Sequence, residues 1–118
     1  MNILIAEDDR SLRKGLRYEI EELGHTVSEA EDGQEAITLF QNNQFDLIIS
    51  DLVMPNIDGL ELYKTIHNIN PSTKFLMITL FSNSESAKEA KCLLKENYFE
   101  KSSNLDNLTK KVSELFNG

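Results

Sequence analysis

Short apolar runs alternate with longer segments of helical period along this chain. Ile3-Leu4-Ile5-Ala6, Leu47-Ile48-Ile49 and Phe75-Leu76-Met77-Ile78 are nearly unbroken apolar stretches. A strand with one face in water would alternate, so these runs predict central parallel strands covered on both faces. Val27 to Ala30 and Tyr98-Phe99 read as two weaker strands. Between the runs, Leu12, Leu16, Ile20 and Leu23 recur at three- and four-residue steps, as do Tyr63, Ile66 and Ile69, and later Leu105, Leu108, Val112 and Leu115. Each set predicts one buried helix face.

The breakers agree with this division. Gly24 can end the first helix in the left-handed conformation, Asp32-Gly33 makes a turn, Pro71 stops the third helix and Asn104 caps the last. Five strand–helix units in succession, joined by right-handed crossovers, predict an α/β fold: a doubly wound five-stranded parallel sheet with helices on both faces. At 118 residues the chain suits one domain, 1–118. Cys92 is the single cysteine, so no intrachain disulfide can form, and a packed thiol is expected there. No apolar leader or long uncharged apolar run appears, and we expect a cytoplasmic protein that does not enter a membrane.

Charge narrows the function. The net charge of -8 argues against direct nucleic-acid binding, which needs clustered Lys and Arg. Residues 1–58 hold 13 acids against 4 bases, whereas 59–118 hold 7 against 8, so the negative excess lies in the first half. Solvated helix faces explain most such imbalances, but here some of the acids fall where strands end. The first strand runs into Glu7-Asp8-Asp9 and the third into Ser50-Asp51. In open parallel sheets, ligands bind beyond the carboxyl ends of the strands, where strand order reverses. At least three carboxylates gathered there need a cation, and Mg²⁺ suits hard oxygen ligands and phosphate. Helix capping by Asp8 or Asp9, and turn capping by Asp51, is the competing use of the same side chains.

The fourth strand ends in Thr79 and the fifth leads to Lys101, adding a hydroxyl and an ammonium at the same edge. An ionised carboxylate can attack phosphorus to give an aspartyl phosphate, provided the donor is positioned and the equatorial charge neutralised. No general base is needed, which leaves His25 and His67 as surface residues.

With these residues in order, the chain resembles the response regulator receiver family over essentially its whole length. Asp51-Leu52-Val53-Met54-Pro55-Asn56-Ile57-Asp58-Gly59 is similar to that family's phosphoacceptor loop, Met-Pro followed by Asp-Gly being the specific part. The resemblance implies a flavodoxin-like (βα)5 fold with strand order 2-1-3-4-5, and a two-component switch that accepts a phosphoryl group on Asp51. It implies Mg²⁺ held by Asp8, Asp9, Asp51 and the backbone carbonyl of Val53, with Thr79 and Lys101 on phosphoryl oxygens. Thr79 and Tyr98 would be the switch residues. The implied phosphodonor is a phosphohistidine on a sensor histidine kinase or a histidine phosphotransfer protein. The implied output runs to an output domain or target protein through a face carrying Lys88, Lys91, Lys95, Tyr98, Lys110 and Lys111, which also admits a homodimer.

Some positions depart from the family pattern. Ser102 stands where proline usually follows the lysine, and Leu80 where a small residue is common. Val53 and Phe81, beside the acceptor, are apolar and cannot orient a water, so slow self-dephosphorylation is expected. An aspartate-nucleophile phosphatase would carry a second Asp at the position of Val53, so no turnover of an external substrate is expected. A pseudo-receiver, binding partners without phosphorylation, is the alternative.

Overall fold

The computed structural model describes residues 1–79, 83–100, 110 and 112–114. Five strands and four helices alternate: β1 Asn2–Ala6, α1 Arg10–Glu22, β2 Thr26–Ala30, α2 Gly33–Asn42, β3 Leu47–Asp51, α3 Gly59–Ile69, β4 Lys74–Thr79, α4 Glu85–Leu94 and β5 Tyr98–Glu100, the last preceded by a 3₁₀ turn at Lys95–Asn97. Residues 110 and 112–114 are also helical. The sheet is wholly parallel, as the apolar runs predicted, in the order β2-β1-β3-β4-β5 that the family resemblance implied.

Parity along the strands builds two separate cores. Leu4, Ala6, Ile48, Phe75 and Met77 point to one face, where Phe40 of α2, Leu62 and Ile66 of α3 and Ala90 and Leu94 of α4 cover them. Ile3, Ile5, Leu47, Ile49, Leu76 and Ile78 point to the other, under Leu16 and Ile20 of α1 and under Val112. That is why β1, β3 and β4 read as continuous apolar runs. Fully burying one such side chain contributes about 1.5–3 kcal/mol.

The helix boundaries follow cap chemistry. Asp9, Asp32, Asp58 and Ser84 cap the starts of α1 to α4, each accepting from amides two or three residues on. Gly24, at φ 93°, follows α1 in the left-handed conformation, as its sequence position suggested. Three expectations need correction. Leu23 and Ile69, assigned to buried helix faces, are exposed, each lying at the end of its helix. Cys92 is exposed, not packed. On α1 the inward stripe instead contains Arg13, which is 5% exposed. Asn104 and the leucines at 105, 108 and 115 lie outside the described residues.

Candidate functional site

Register fixes where the polar strand ends meet. Ala6 of β1 pairs with Ala30 on one side and Ser50 on the other, Asp51 pairs with Ile78, and Thr79 pairs with Glu100. The chain leaves β1 for β2 on one side and returns to β3 on the other. The strand order therefore reverses between β1 and β3, the place where such sheets open a crevice. Glu7, Asp8 and Asp51 flank that crevice, and one carboxylate oxygen from each lies within 4.8 Å of the others.

Glu7 and Asp51 are 0% and 5% exposed while Asp8 faces solvent, so the cluster has a protein side and an open side. The Glu7 amide continues the ladder to the Ala30 carbonyl at 3.1 Å, and its Oε2 accepts from the Asp9 amide at 3.1 Å. Asp9 itself turns away from the cluster. Its Oδ1 accepts from the amides of Ser11 at 3.0 Å and Leu12 at 3.3 Å, capping α1. Of the two aspartates expected as a metal pair, the structure thus brings Asp8 to Asp51 and uses Asp9 as a cap, with Glu7 as the third carboxylate. The signal was present in the sequence: Glu7 directly follows the last apolar strand residue, and Asp9 stands three before Leu12, at the spacing of a cap.

Asp51 ends β3 and opens a tight loop. Its Oδ1 accepts from the Val53 amide at 3.4 Å, and its carbonyl accepts from Ser50 Oγ at 2.8 Å. Leu52 and Met54 are buried against the α2–α4 side of the core while Val53 between them is 68% exposed. The loop is thereby anchored on alternate residues, with Val53 at the open side. Asn56 adopts φ 70° and donates to Asp32 Oδ2 at 3.2 Å. The Gly59 amide donates to the Leu52 carbonyl at 2.7 Å, and a Cβ at Gly59 would collide with the Asp51 carbonyl. These contacts give the Met-Pro and Asp-Gly elements their physical meaning: a core plug, a turn, a helix cap and a residue with no side chain against the Asp51 backbone.

Thr79, 1% exposed, ends β4 at the same edge. Tyr98 is half-buried, packed against the core that includes α4; burial first, then Glu100, raises its phenol pKa. Lys101, Leu80, Phe81, Ser102 and Lys111 lie outside the described residues. His67 is exposed as expected, and His25 is partly covered. A concavity of about 490 Å³ bounded by Phe40, Phe45, Asp46 and Asn70 lies at the amino end of the strands, away from the carboxylates. It gathers no convergent set of ionisable groups, so the chemistry points to the opposite edge. No described helix is long and apolar enough to cross a membrane.

The model of the response regulator receiver domain matches residues 3–113. The response regulator receiver protein CpdR of Brucella abortus is 35% identical over 99 residues, 79% of this chain and 82% of that protein. The uncharacterized transcriptional regulatory protein YesN of Bacillus subtilis is 33% identical over 116 residues, 96% of this chain but 32% of YesN. The chain therefore spans most of CpdR and about a third of YesN. Among solved structures, the response regulator TrrA of Thermotoga maritima, in complex with Mg²⁺-BeF, is 33% identical with a TM-score of 0.86, covering 97% of each chain.

Proposed function

The chain belongs to the response regulator receiver domain family, and on that premise we propose that it is a phosphoacceptor switch that takes a phosphoryl group onto Asp51. The observation that carries the proposal is the three-carboxylate group of Glu7, Asp8 and Asp51 at the strand-order reversal, with buried Thr79 at the end of the neighbouring strand.

The donor set fits Mg²⁺: three carboxylate oxygens in reach of one another, one of them open to solvent, suit an ion that prefers oxygen ligands and keeps several waters. Glu7, Asp8 and Asp51 would hold it, with the Val53 carbonyl as a further oxygen on the open side, while Asp9 keeps its cap. When bound, Mg²⁺ would neutralise charge on the phosphoryl oxygens. TrrA, with its Mg²⁺-BeF complex, supports this assignment by similarity.

The Asp51 carboxylate attacks phosphorus, the phosphorus–nitrogen bond of the donor phosphohistidine breaks, and the electron pair leaves with the imidazole. The product is an acyl phosphate on Asp51. Thr79 donates its hydroxyl to a phosphoryl oxygen, and Lys101 pairs with another. The new group carries about -1.5 to -2 charges and strong acceptor oxygens, which draw Thr79 toward the site and bias the α4–β5 face carrying Tyr98. The donor is a sensor histidine kinase or a histidine phosphotransfer protein in the cytoplasm, and the receiver of the signal is an output domain or target protein. Consumption of one phosphoryl group per chain makes the domain a switch, not a turnover enzyme for an external substrate.

The test is incubation with phosphoramidate, with and without Mg²⁺, read by intact mass beside Asp51→Ala. We expect one phosphoryl group that needs both the ion and Asp51. Absence of the adduct, together with failure to bind beryllofluoride, would refute the proposal.

A further inference from the structure

A buried arginine stands behind the acidic edge. Arg13, in the second turn of α1, is 5% exposed, an expensive place for a charge unless it is fully paired. Its Nη1 donates to the Glu7 carbonyl at 2.8 Å, its Nε to Glu29 Oε1 on β2 at 2.8 Å, and its Nη2 approaches Glu31 Oε1 at 3.7 Å. Glu29 is held in turn by Lys14 at 2.8 Å and Arg17 at 2.6 Å. The guanidinium fork thus joins the helix, β2 and the strand end that carries the site.

The point of attachment decides what this joint does. The Glu7 carbonyl and the Asp8 amide belong to one rigid peptide plane. Fixing that plane sets the directions in which Glu7 and Asp8 leave the backbone, and the Glu7 carboxylate is fixed again through the Asp9 amide. Both metal-side carboxylates of the cluster therefore depend on a plane whose oxygen is gripped by Arg13.

We propose that Arg13, oriented by Glu29, is a positioning residue that pre-sets the Glu7–Asp8 peptide plane for cation binding. The inference rests on the phosphoacceptor reading of the site and adds a component to it that touches neither the ion nor the phosphoryl group.

Charge and position predict opposite signs. As a charge, Arg13 repels a nearby cation, and removing it would tighten Mg²⁺ binding. As a positioning residue, its removal releases the plane and weakens binding, by about tenfold where outer partners of metal ligands are lost. The experiment titrates Mg²⁺ into wild type, Arg13→Met, Arg13→Lys, Glu29→Gln and Lys14→Ala by calorimetry, with ¹H–¹⁵N spectra reporting fold and the amides of residues 7–9. Arg13→Met and Arg13→Lys are expected to bind about tenfold more weakly, because lysine keeps the charge but cannot make the fork. Glu29→Gln is expected to weaken binding in the same direction, and Lys14→Ala, which touches Glu29 from the solvent side, to leave it unchanged. A folded Arg13→Met that binds as tightly as wild type, or more tightly, overturns the proposal. If the Arg13 variants do not fold, unchanged affinity in Glu29→Gln overturns it alone. Wild type that binds no Mg²⁺ at all removes the phosphoacceptor reading itself, an outcome separate from any difference among variants.

Discussion

Protonation of Glu29 should cut the stability of this domain in acid, by an amount the structure bounds. The Glu29 side chain is 12% exposed, and burial alone would raise its pKa. Hydrogen bonds from Lys14, Arg17 and Arg13 outweigh burial and bring it down from 4.5 to about 2. A carboxyl depressed on folding contributes stability that is complete above its unfolded pKa and lost as the pH falls through the folded one. The window is therefore about pH 5 to pH 2. At about 1.36 kcal/mol per unit, the full shift would correspond to about 3.4 kcal/mol. Lys14 and Arg17 are 51% and 38% exposed, so solvent screening reduces the expected contribution to about 1–2 kcal/mol.

Glu29→Gln is the matched perturbation, since a neutral amide has nearly the shape of the protonated acid. Urea unfolding of wild type and variant, at pH values from 7 down to 3, gives the difference in stability while other titrating groups cancel. The difference should be about 1–2 kcal/mol at pH 7 and should shrink by more than half by pH 3. A difference that stays constant across this range would show that Glu29 is not held ionised by its three cations, and would refute the reasoning.

Two other substitutions separate the roles assigned to neighbouring residues. Asp9→Ala removes the cap of α1 and should destabilise the fold by about 1 kcal/mol in urea, while Mg²⁺ affinity stays within about twofold; a loss as large as that of Asp8→Asn would place Asp9 among the ligands. Gly59→Ala forces a Cβ to within 2.9 Å of the Leu52 Cα and against the Asp51 carbonyl, both backbone, so we expect destabilisation of about 1–3 kcal/mol and a slower reaction of the remaining folded protein with phosphoramidate. Wild-type stability in this variant would mean that the loop after Asp51 has room to shift.

The sequence by itself determined the layers and their order of appearance. Continuous apolar runs specify strands buried on both faces, three- and four-residue steps specify helices, and acids placed just after strand ends specify the acidic edge, because periodicity and strand polarity are local properties. The loop after Asp51 was legible for the same reason: Met54, Asp58 and Gly59 each meet a local demand for a plug, a cap and a missing Cβ.

What only the tertiary structure decided was the division of labour among adjacent side chains. Glu7, Asp8 and Asp9 are chemically alike, and any of them can bind a cation or cap a helix. The choice turns on where β1 stops and α1 begins, so Asp9 went to the cap and Glu7 to the cluster. The spacing of Arg13 and Glu29 puts them on the inward stripe of α1 and the inward parity of β2, yet nothing local to either residue says that the two meet. Periodicity reports which face a residue occupies; whether a charge on that face is tolerated depends on the partner across the gap. Here that partner is a glutamate 16 residues away in sequence and 2.8 Å away in space.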